Sequence, residues 1–135
     1  MQRSYKIALC AAAVLWHVLL AVTWAFDQHH VEQSFAAFCK DWVATLNRYA
    51  QNNIACEQKD DQCIAEYRVC DDNLNIHVKP VPSAPACFIG TLRYREKKYR
   101  RAAQTCADAV RGPFALASET NVTQLFLYRN GVWQY

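Results

Sequence analysis

The chain contains few of the residues that build irregular, loop-based proteins: its 135 residues include only three glycines and four prolines. A disulfide miniprotein made mostly of loops would need more of both, because many turns depend on them. The chain also has no internal repeat and no low-complexity tract, so a repeat architecture is excluded. The composition therefore predicts a domain with regular secondary structure.

Motifs for nucleophilic and acid–base catalysis are missing as well. Beyond the first 26 residues the serines are Ser34, Ser83 and Ser118, and none lies in a Gly-x-Ser-x-Gly elbow. The C-terminal strands have no histidine, which excludes the histidine pair that secreted pancreatic-type ribonucleases need. The chain is therefore more consistent with a non-enzymatic protein than with an enzyme.

Metal-binding patterns are equally weak. The cysteines lack the two-to-four-residue spacing of zinc knuckles. Asp71 begins a stretch similar to a calcium loop, but Ile76 and Pro82 stand where glycine and glutamate are needed. His29-His30 is expected to be an exposed, solvated pair. We predict no metal and no cofactor.

A segment without charge follows the N-terminus. Ile7 to Phe26 contains no Asp, Glu, Lys or Arg, and Arg3 and Lys6 precede it. This pattern predicts a secretory signal peptide over residues 1–25, cleaved after Ala25, and a single exported domain over residues 26–135 that is periplasmic or secreted. The alternative is an uncleaved anchor, because twenty uncharged residues can just span a bilayer.

The cysteines support export. Cys10 lies in the predicted leader, and the remaining six are Cys39, Cys56, Cys63, Cys70, Cys87 and Cys106. An even number in a small exported domain predicts up to three disulfides. Six cysteines allow fifteen connectivities, and our expected pairs are Cys56–Cys63, Cys39–Cys106 and Cys70–Cys87.

Charge is segregated along the domain. Residues 27–92 hold nine acidic and five basic side chains, whereas residues 93–135 hold three acidic and eight basic ones. The two parts carry net charges of −4 and +5, so the domain is electrically polar but nearly neutral, at +1. Nucleic acid is therefore not an expected partner.

Two helices are predicted. In residues 31–50 the apolar side chains recur at steps of three and four, which predicts a long amphipathic helix that ends near Asn52-Asn53. An alanine-rich segment, residues 101–111, predicts a shorter helix stopped by Gly112-Pro113. The aromatic residues of the first helix are expected to be core.

Alternating apolar and polar residues predict antiparallel strands at 65–69, 74–78 and 88–96. Gly90 predicts a bulge or bend in the third of these. Asn130-Gly131 predicts the turn of a hairpin whose strands are residues 121–129 and 132–135. The same region contains a glycosylation sequon at Asn121, which matters only in a eukaryotic secretory pathway.

The sequence thus predicts an α+β fold: a long N-terminal helix on a curved antiparallel sheet, a short second helix and a C-terminal hairpin. This order, with the closing Leu-Phe-Leu-Tyr-Arg-Asn-Gly-Val-Trp-Gln-Tyr, resembles the cystatin-like and nuclear-transport-factor-2-like cone folds. The resemblance implies a sheet wrapped around one helix. The cystatin inhibitory loop, Gln-x-Val-x-Gly, is absent, so protease inhibition is not implied.

A basic run is the candidate site. It comprises Arg93, Arg95, Lys97, Lys98, Arg100 and Arg101. We expect a binding or assembly domain that can engage an anionic partner or another protein through this run, with a membrane as partner only if the leader is uncleaved. The simpler interpretation is a solvated strand face. The alternative function is a small secreted hydrolase whose site, in a sheet cavity, would use His77, Asp72 and Tyr94.

Overall fold

The computed structural model describes the backbone from residue 3 and the side chains of residues 28–135. The predicted leader, its alternative as an anchor, and Cys10 all lie outside the residues whose side chains are described. The chain forms two compact units, residues 1–34 and residues 35–135. Within the fully described part of the chain, no helix is both long and apolar enough to cross a membrane.

Helix α1 runs from Arg3 to Asn52 and is shared by the two units. In the first unit, side-chain hydrogen bonds between residues four apart join Gln28 to Glu32 and His29 to Gln33. At the end of the helix, the Asn53 side chain donates to the carbonyl of Tyr49 at 2.9 Å. The predicted end at Asn52-Asn53 is therefore confirmed.

The second unit contains an antiparallel sheet. Its strands are β1 (Ala55–Lys59), β2 (Gln62–Cys70), β3 (Asn75–Pro80), β4 (Phe88–Ala103), β5 (Ala115–Arg129) and β6 (Val132–Gln134). Strand β4 is central: β5 lies along one side, and β2 and β3 share the other. The sheet curls into a half-barrel, as the predicted fold class requires.

The predicted strands and hairpin are present, and most are longer than predicted. Asn130 and Gly131 both have positive φ, at 53° and 80°, as the predicted hairpin turn requires. Strand β1 was not predicted, because its five residues, Ala-Cys-Glu-Gln-Lys, carry no apolar alternation.

The predicted helix at 101–111 is wrong in extent. Strand β4 continues to Ala103, and helix α2 is confined to Cys106–Ala109, where the Thr105 side chain caps its N-terminus. Arg101 and Ala102 pair with Ala65 and Ile64 of β2. Pairing across the sheet thus overrides the helical preference of the alanines.

The main core is aromatic and lies between α1 and the sheet. Phe35 and Phe126 are almost fully buried, and their rings meet edge to face with centroids 5.9 Å apart. Phe38, Trp42 and Trp133 add further ring contacts around this pair. The predicted core role is confirmed for Phe35, Phe38 and Trp42, whereas Tyr49, on the same predicted stripe, is 68% exposed.

Gly90 lies in a regular part of the sheet and is opposite Val78 on β3 and Phe126 on β5. The irregularity in β4 falls instead between Lys98 and Tyr99. The bulge, one of the two alternatives predicted for Gly90, is therefore wrong, whereas the bend stays a prediction. The physical role of Gly90 is close packing: the Phe35 ring occupies the space of a side chain.

Among the cysteines of residues 28–135 there is one disulfide, Cys56–Cys106, with a Cα–Cα distance of 5.9 Å, and this differs from all three expected pairs. Cys56 is opposite Ala65 and Cys63 is opposite Gln58, so those two cysteines are diagonal neighbours. The sulfur atom of Cys63 lies within 4.8 Å of that of Cys56, but Cys56 is bonded to Cys106, so the expected Cys56–Cys63 bridge is not formed.

Of the other two expected pairs, Cys39–Cys106 is not formed because Cys106 is bonded to Cys56, and Cys70–Cys87 is separated by the sheet geometry. Cys70 lies opposite Glu96 of β4. Cys87 immediately precedes Phe88, the first residue of β4, which is eight residues before Glu96. That spacing corresponds to about 26 Å of strand. Cys39 is buried on α1 and remains a thiol together with Cys63, Cys70 and Cys87.

A smaller apolar cluster surrounds the disulfide. Its buried members are Cys63, Ala65 and Ala109. The sulfur atoms of Cys56, Cys63 and Cys106 lie within 4.8 Å of one another, but two of them are bonded to each other, so one thiol remains. The bridge joins β1 to α2 and closes this end of the sheet.

Candidate binding surface

Alternation along β4 gives the sheet two different faces. Phe88, Leu92 and Tyr94 are buried on the face toward α1, which we call the inner face. The residues between them, Ile89 and Arg93, are exposed on the opposite, outer face. Because the inner face is buried over residues 88–94 of β4, a partner can contact this part of the sheet only on its outer face.

Four rows of residues from β4 and β5 form the outer strip. The cross-strand pairs are Ile89–Leu127, Thr91–Leu125, Arg93–Thr123 and Arg95–Asn121. Because alternate residues on a strand are roughly 7 Å apart, the strip is about 20 Å long. Three of the four residues in its first two rows are apolar, so we call these the apolar rows, and its last two rows are polar and cationic.

The apolar rows are open to solvent. Leu125 is 62% exposed, Ile89 42% and Leu127 38%. Beside them on β3 lie Lys79, opposite Ile89, and His77, opposite Thr91. Contiguous exposed apolar residues on a sheet face are typical of interaction surfaces.

A polar depression of about 300 Å³ adjoins the cationic rows. Asp71 and Asn73 line one side of it, and Arg93, Arg95, Asn121 and Thr123 line the other. The depression exists because the chain between β2 and β3 needs four residues, 71–74, where β4 takes up only two. The extra length lifts this loop beside the strip.

Hydrogen bonds hold the loop in place. The Asp71 N–H donates to the Arg95 carbonyl at 2.8 Å, and the Asn73 N–H donates to the Asp71 carboxylate at 3.0 Å. The same carboxylate pairs with Lys97 at 3.3 Å. These bonds lower the pKa of Asp71, with the Asn73 N–H as the largest cause and Lys97 next.

The basic run is divided between the two faces. Arg93, Arg95 and Lys97 alternate onto the outer face, whereas Lys98 and Arg100 lie opposite Arg68 and Glu66 on the inner side. Six bases that are adjacent in sequence therefore do not form one cationic patch.

Most of the run is neutralised by acids. Glu66 pairs with Lys98 at 3.7 Å and accepts a hydrogen bond from Arg100 at 2.6 Å. These contacts, led by the Arg100 hydrogen bond, lower the pKa of Glu66. Arg95 pairs with Glu119 at 3.0 Å, which raises the pKa of the guanidinium.

Arg93 and Arg101 differ from the other four bases, since neither forms an ion pair within residues 28–135. Arg101 is half-buried and lies opposite Ala65, in the smaller apolar cluster. Arg93 is exposed in the third row of the outer strip, between the apolar rows and the depression.

The residues considered for hydrolysis are not brought together. His77 is exposed on β3, opposite Thr91 of the outer strip. Tyr94 is buried on the inner face, where burial raises its pKa, and its hydroxyl bonds to Gln124 and Cys70. Since the sheet separates His77 from Tyr94, the two cannot act on one substrate.

A second depression was not foreseen from the sequence. It measures about 400 Å³ and is lined by Gln51, Ile54, Tyr67, Val69, Tyr99 and Phe114. The Tyr67 and Tyr99 rings stack at 5.2 Å, with Phe114 edge-on to Tyr67 at 4.9 Å. These aromatic residues lie side by side because of the register of β2 on β4, and no local sequence pattern predicts that register.

Comparison with family models, curated proteins and solved structures finds no match to this chain.

Proposed function

We propose that the protein is an exported, non-enzymatic binding domain that engages an anionic partner through the outer strip. The carrying observation is Arg93, an exposed guanidinium without an acidic partner among residues 28–135, located where exposed apolar rows meet a polar depression. An unpaired arginine has five donors available for a carboxylate, sulfate or phosphate.

The filled interior supports binding rather than catalysis. The space between α1 and the sheet is occupied by aromatic rings, and within the described part of the chain no charged, hydroxymethyl or amide side chain is buried. Catalysis in the sheet interior would need an open cavity with converging polar groups.

The proposed partner carries both negative charge and apolar surface. Lys79 supplies a cationic group beside the first apolar row, and Arg93 supplies one beyond the second. A partner that contacts both halves of the strip buries Leu125 and Leu127 while it pairs with Arg93. Binding should therefore weaken, but not vanish, as salt increases.

Heparin retention in a salt gradient tests the cationic half of the proposal. We expect Arg93→Glu to elute at clearly lower salt than the parent, because the substitution reverses the one unpaired charge of the strip. Arg48→Glu is the matched control, since Arg48 is an exposed arginine on α1 and its reversal changes the net charge equally. Equal elution of the two variants, or no salt-dependent retention of the parent, would contradict the proposal.

A further inference from the structure

Strand β5 has a free edge. Along one side it pairs with β4 from Ala115 to Tyr128, with one interruption, but on the other side β6 covers only Leu127, Tyr128 and Arg129. No backbone hydrogen bond from another part of the described chain reaches residues 115–126 on that side. Alternate residues of this twelve-residue stretch thus present unpaired N–H and C=O groups at the edge, because the residues between them bond to β4.

The opposite edge of the sheet is protected. Asn47 of α1 bonds the backbone of Cys70 twice, donating to its carbonyl at 3.0 Å and accepting from its N–H at 2.7 Å. Strand β1 is short and charged, and β3 ends at Pro80. Such devices prevent edge-to-edge association.

The β5 edge lacks these devices. Residues 115–126 contain no proline and no lysine, and their single charge, Glu119, is paired with Arg95. The one irregularity is at Ala117, which has no partner on β4 because Ser118 pairs with Lys98 and Leu116 with Tyr99. Between this bulge and β6 the edge is regular and open.

We propose that this edge pairs with the same edge of a second copy of the chain, antiparallel about a two-fold axis at Asn121. In this register residues 117–125 pair with residues 125–117 of the other copy. The pairing then begins at the bulge and stops before Leu127, where β6 occupies the edge. The axis lies at the middle of the open stretch.

Side-chain chemistry favours this register over the one centred at Val122. Directly opposite residues of an antiparallel pair point to the same face of the sheet. A two-fold axis can therefore lie only between two copies of the same residue. At Asn121, Glu119 lies opposite Thr123, which can donate a hydrogen bond. At Val122, Glu119 would lie opposite the apolar Leu125. No like charges meet in the chosen register, because Glu119 is the only charge on the edge.

The pairing would give one continuous sheet in which the two outer strips lie side by side. Each copy contributes its Arg93 to the same face. The inference does not rest on the proposed function, because it uses the strand edge rather than the sheet face, and dimerisation is measured without any ligand.

A cysteine cross-link tests the register. In full-length chains carrying Cys10→Ser and Cys87→Ser, we expect Asn121→Cys to form a covalent dimer on a non-reducing gel, because directly opposite residues lie within disulfide reach. Thr123→Cys is the matched control: it is equally exposed, and its mate across the axis is Glu119. We expect Thr123→Cys to cross-link only when Glu119→Cys is also present.

Molar mass in solution provides the second readout. The full-length parent should show twice the mass of one chain, and Asn121→Lys should be monomeric, because the axis would bring two lysines together at an exposed position. A monomeric parent at every concentration tested, or cross-linking of Thr123→Cys alone as efficient as that of Asn121→Cys, would overturn the proposal.

Discussion

At Gly90, in the middle of β4, the Phe35 ring lies where a side chain would otherwise project. A Cβ atom at this position would lie 2.5 Å from two carbons of that ring and 2.8 Å from the Trp133 ring. The helix can approach the sheet this closely only because β4 has no side chain there. A strand glycine is ambiguous in sequence, since bulges and close approaches both favour it.

We expect Gly90→Ala to lower the free energy of unfolding by about 1–3 kcal/mol, because the added methyl group must displace buried rings. Urea denaturation followed by tryptophan fluorescence measures the change. Ser83→Ala, at an exposed position in the turn between β3 and β4, should change the stability by no more than about 0.5 kcal/mol. A Gly90→Ala variant as stable as the parent would show that the core has room at this position.

Cysteine chemistry is also decided at the scale of single residues. Burial raises the pKa of Cys39 from 9.0 to about 12, and burial also raises the pKa of Cys70. Both thiols are therefore protonated and unreactive at neutral pH. Parity suggested disulfides for all six cysteines, yet in the structure burial in the aromatic core, rather than pairing, accounts for Cys39.

At the scale of the elements, the Asn47 side chain connects the C-terminal part of α1 to the sheet. Asn47 makes two hydrogen bonds to the backbone of Cys70, at the position where β2 ends and the loop of the polar depression begins. The contact satisfies backbone groups that no strand pairs. It also positions the first residue of the loop that lines the candidate site.

We expect Asn47→Ala to destabilise the protein by about 1–3 kcal/mol, since it leaves the Cys70 N–H and carbonyl without partners. Asn47→Asp should cost less, because it keeps an acceptor for the N–H. Arg48→Ala, the next residue along α1, is the control and should be near neutral. Chemical denaturation ranks the three variants, and equal stabilities for Asn47→Ala and Arg48→Ala would refute the role of this contact.

Element prediction succeeded where the pattern was local and failed where pairing was distant. The stripe on α1, the alternation in β3 and the Asn130-Gly131 turn are each contained in a few residues. The end of β4 depends instead on β2, some thirty-five residues earlier, which draws Arg101 and Ala102 into the sheet. The residues of the alanine-rich segment carry no sequence pattern that predicts pairing with β2.

For the whole molecule, ion pairs across the sheet neutralise the segregated charge. Acids from the first half of the domain, Glu66 and Asp71, pair with Lys98, Arg100 and Lys97 from the second half. The −4 and +5 segments are thus brought into contact, and little of the predicted cationic surface remains unpaired.

The lowered pKa values of Glu66 and Asp71 make stability depend on pH. A carboxylate with a lower pKa in the folded state stabilises the fold above its ordinary pKa, and this contribution is lost as the pH falls through the folded value. We therefore expect the free energy of unfolding to decrease as the pH drops below about 4.5, the ordinary value for Glu66.

Urea titrations from neutral to acidic pH measure this loss. Glu66→Gln should be less stable than the parent at neutral pH and should lose less stability on acidification. Glu57→Gln, an exposed glutamate on β1, is the control and should follow the parent. Parallel pH profiles for the parent and Glu66→Gln would contradict the assigned role of Glu66.

The sequence by itself determined the class of fold, because helical and strand periodicity and the turn residues act over a few neighbours. It also predicted which faces of α1 and β4 are buried. Only the tertiary structure decided the disulfide, the fate of the basic run and the open edge of β5. Each of these depends on which distant strand lies beside a residue, and the register that sets such neighbours is a property of the whole sheet.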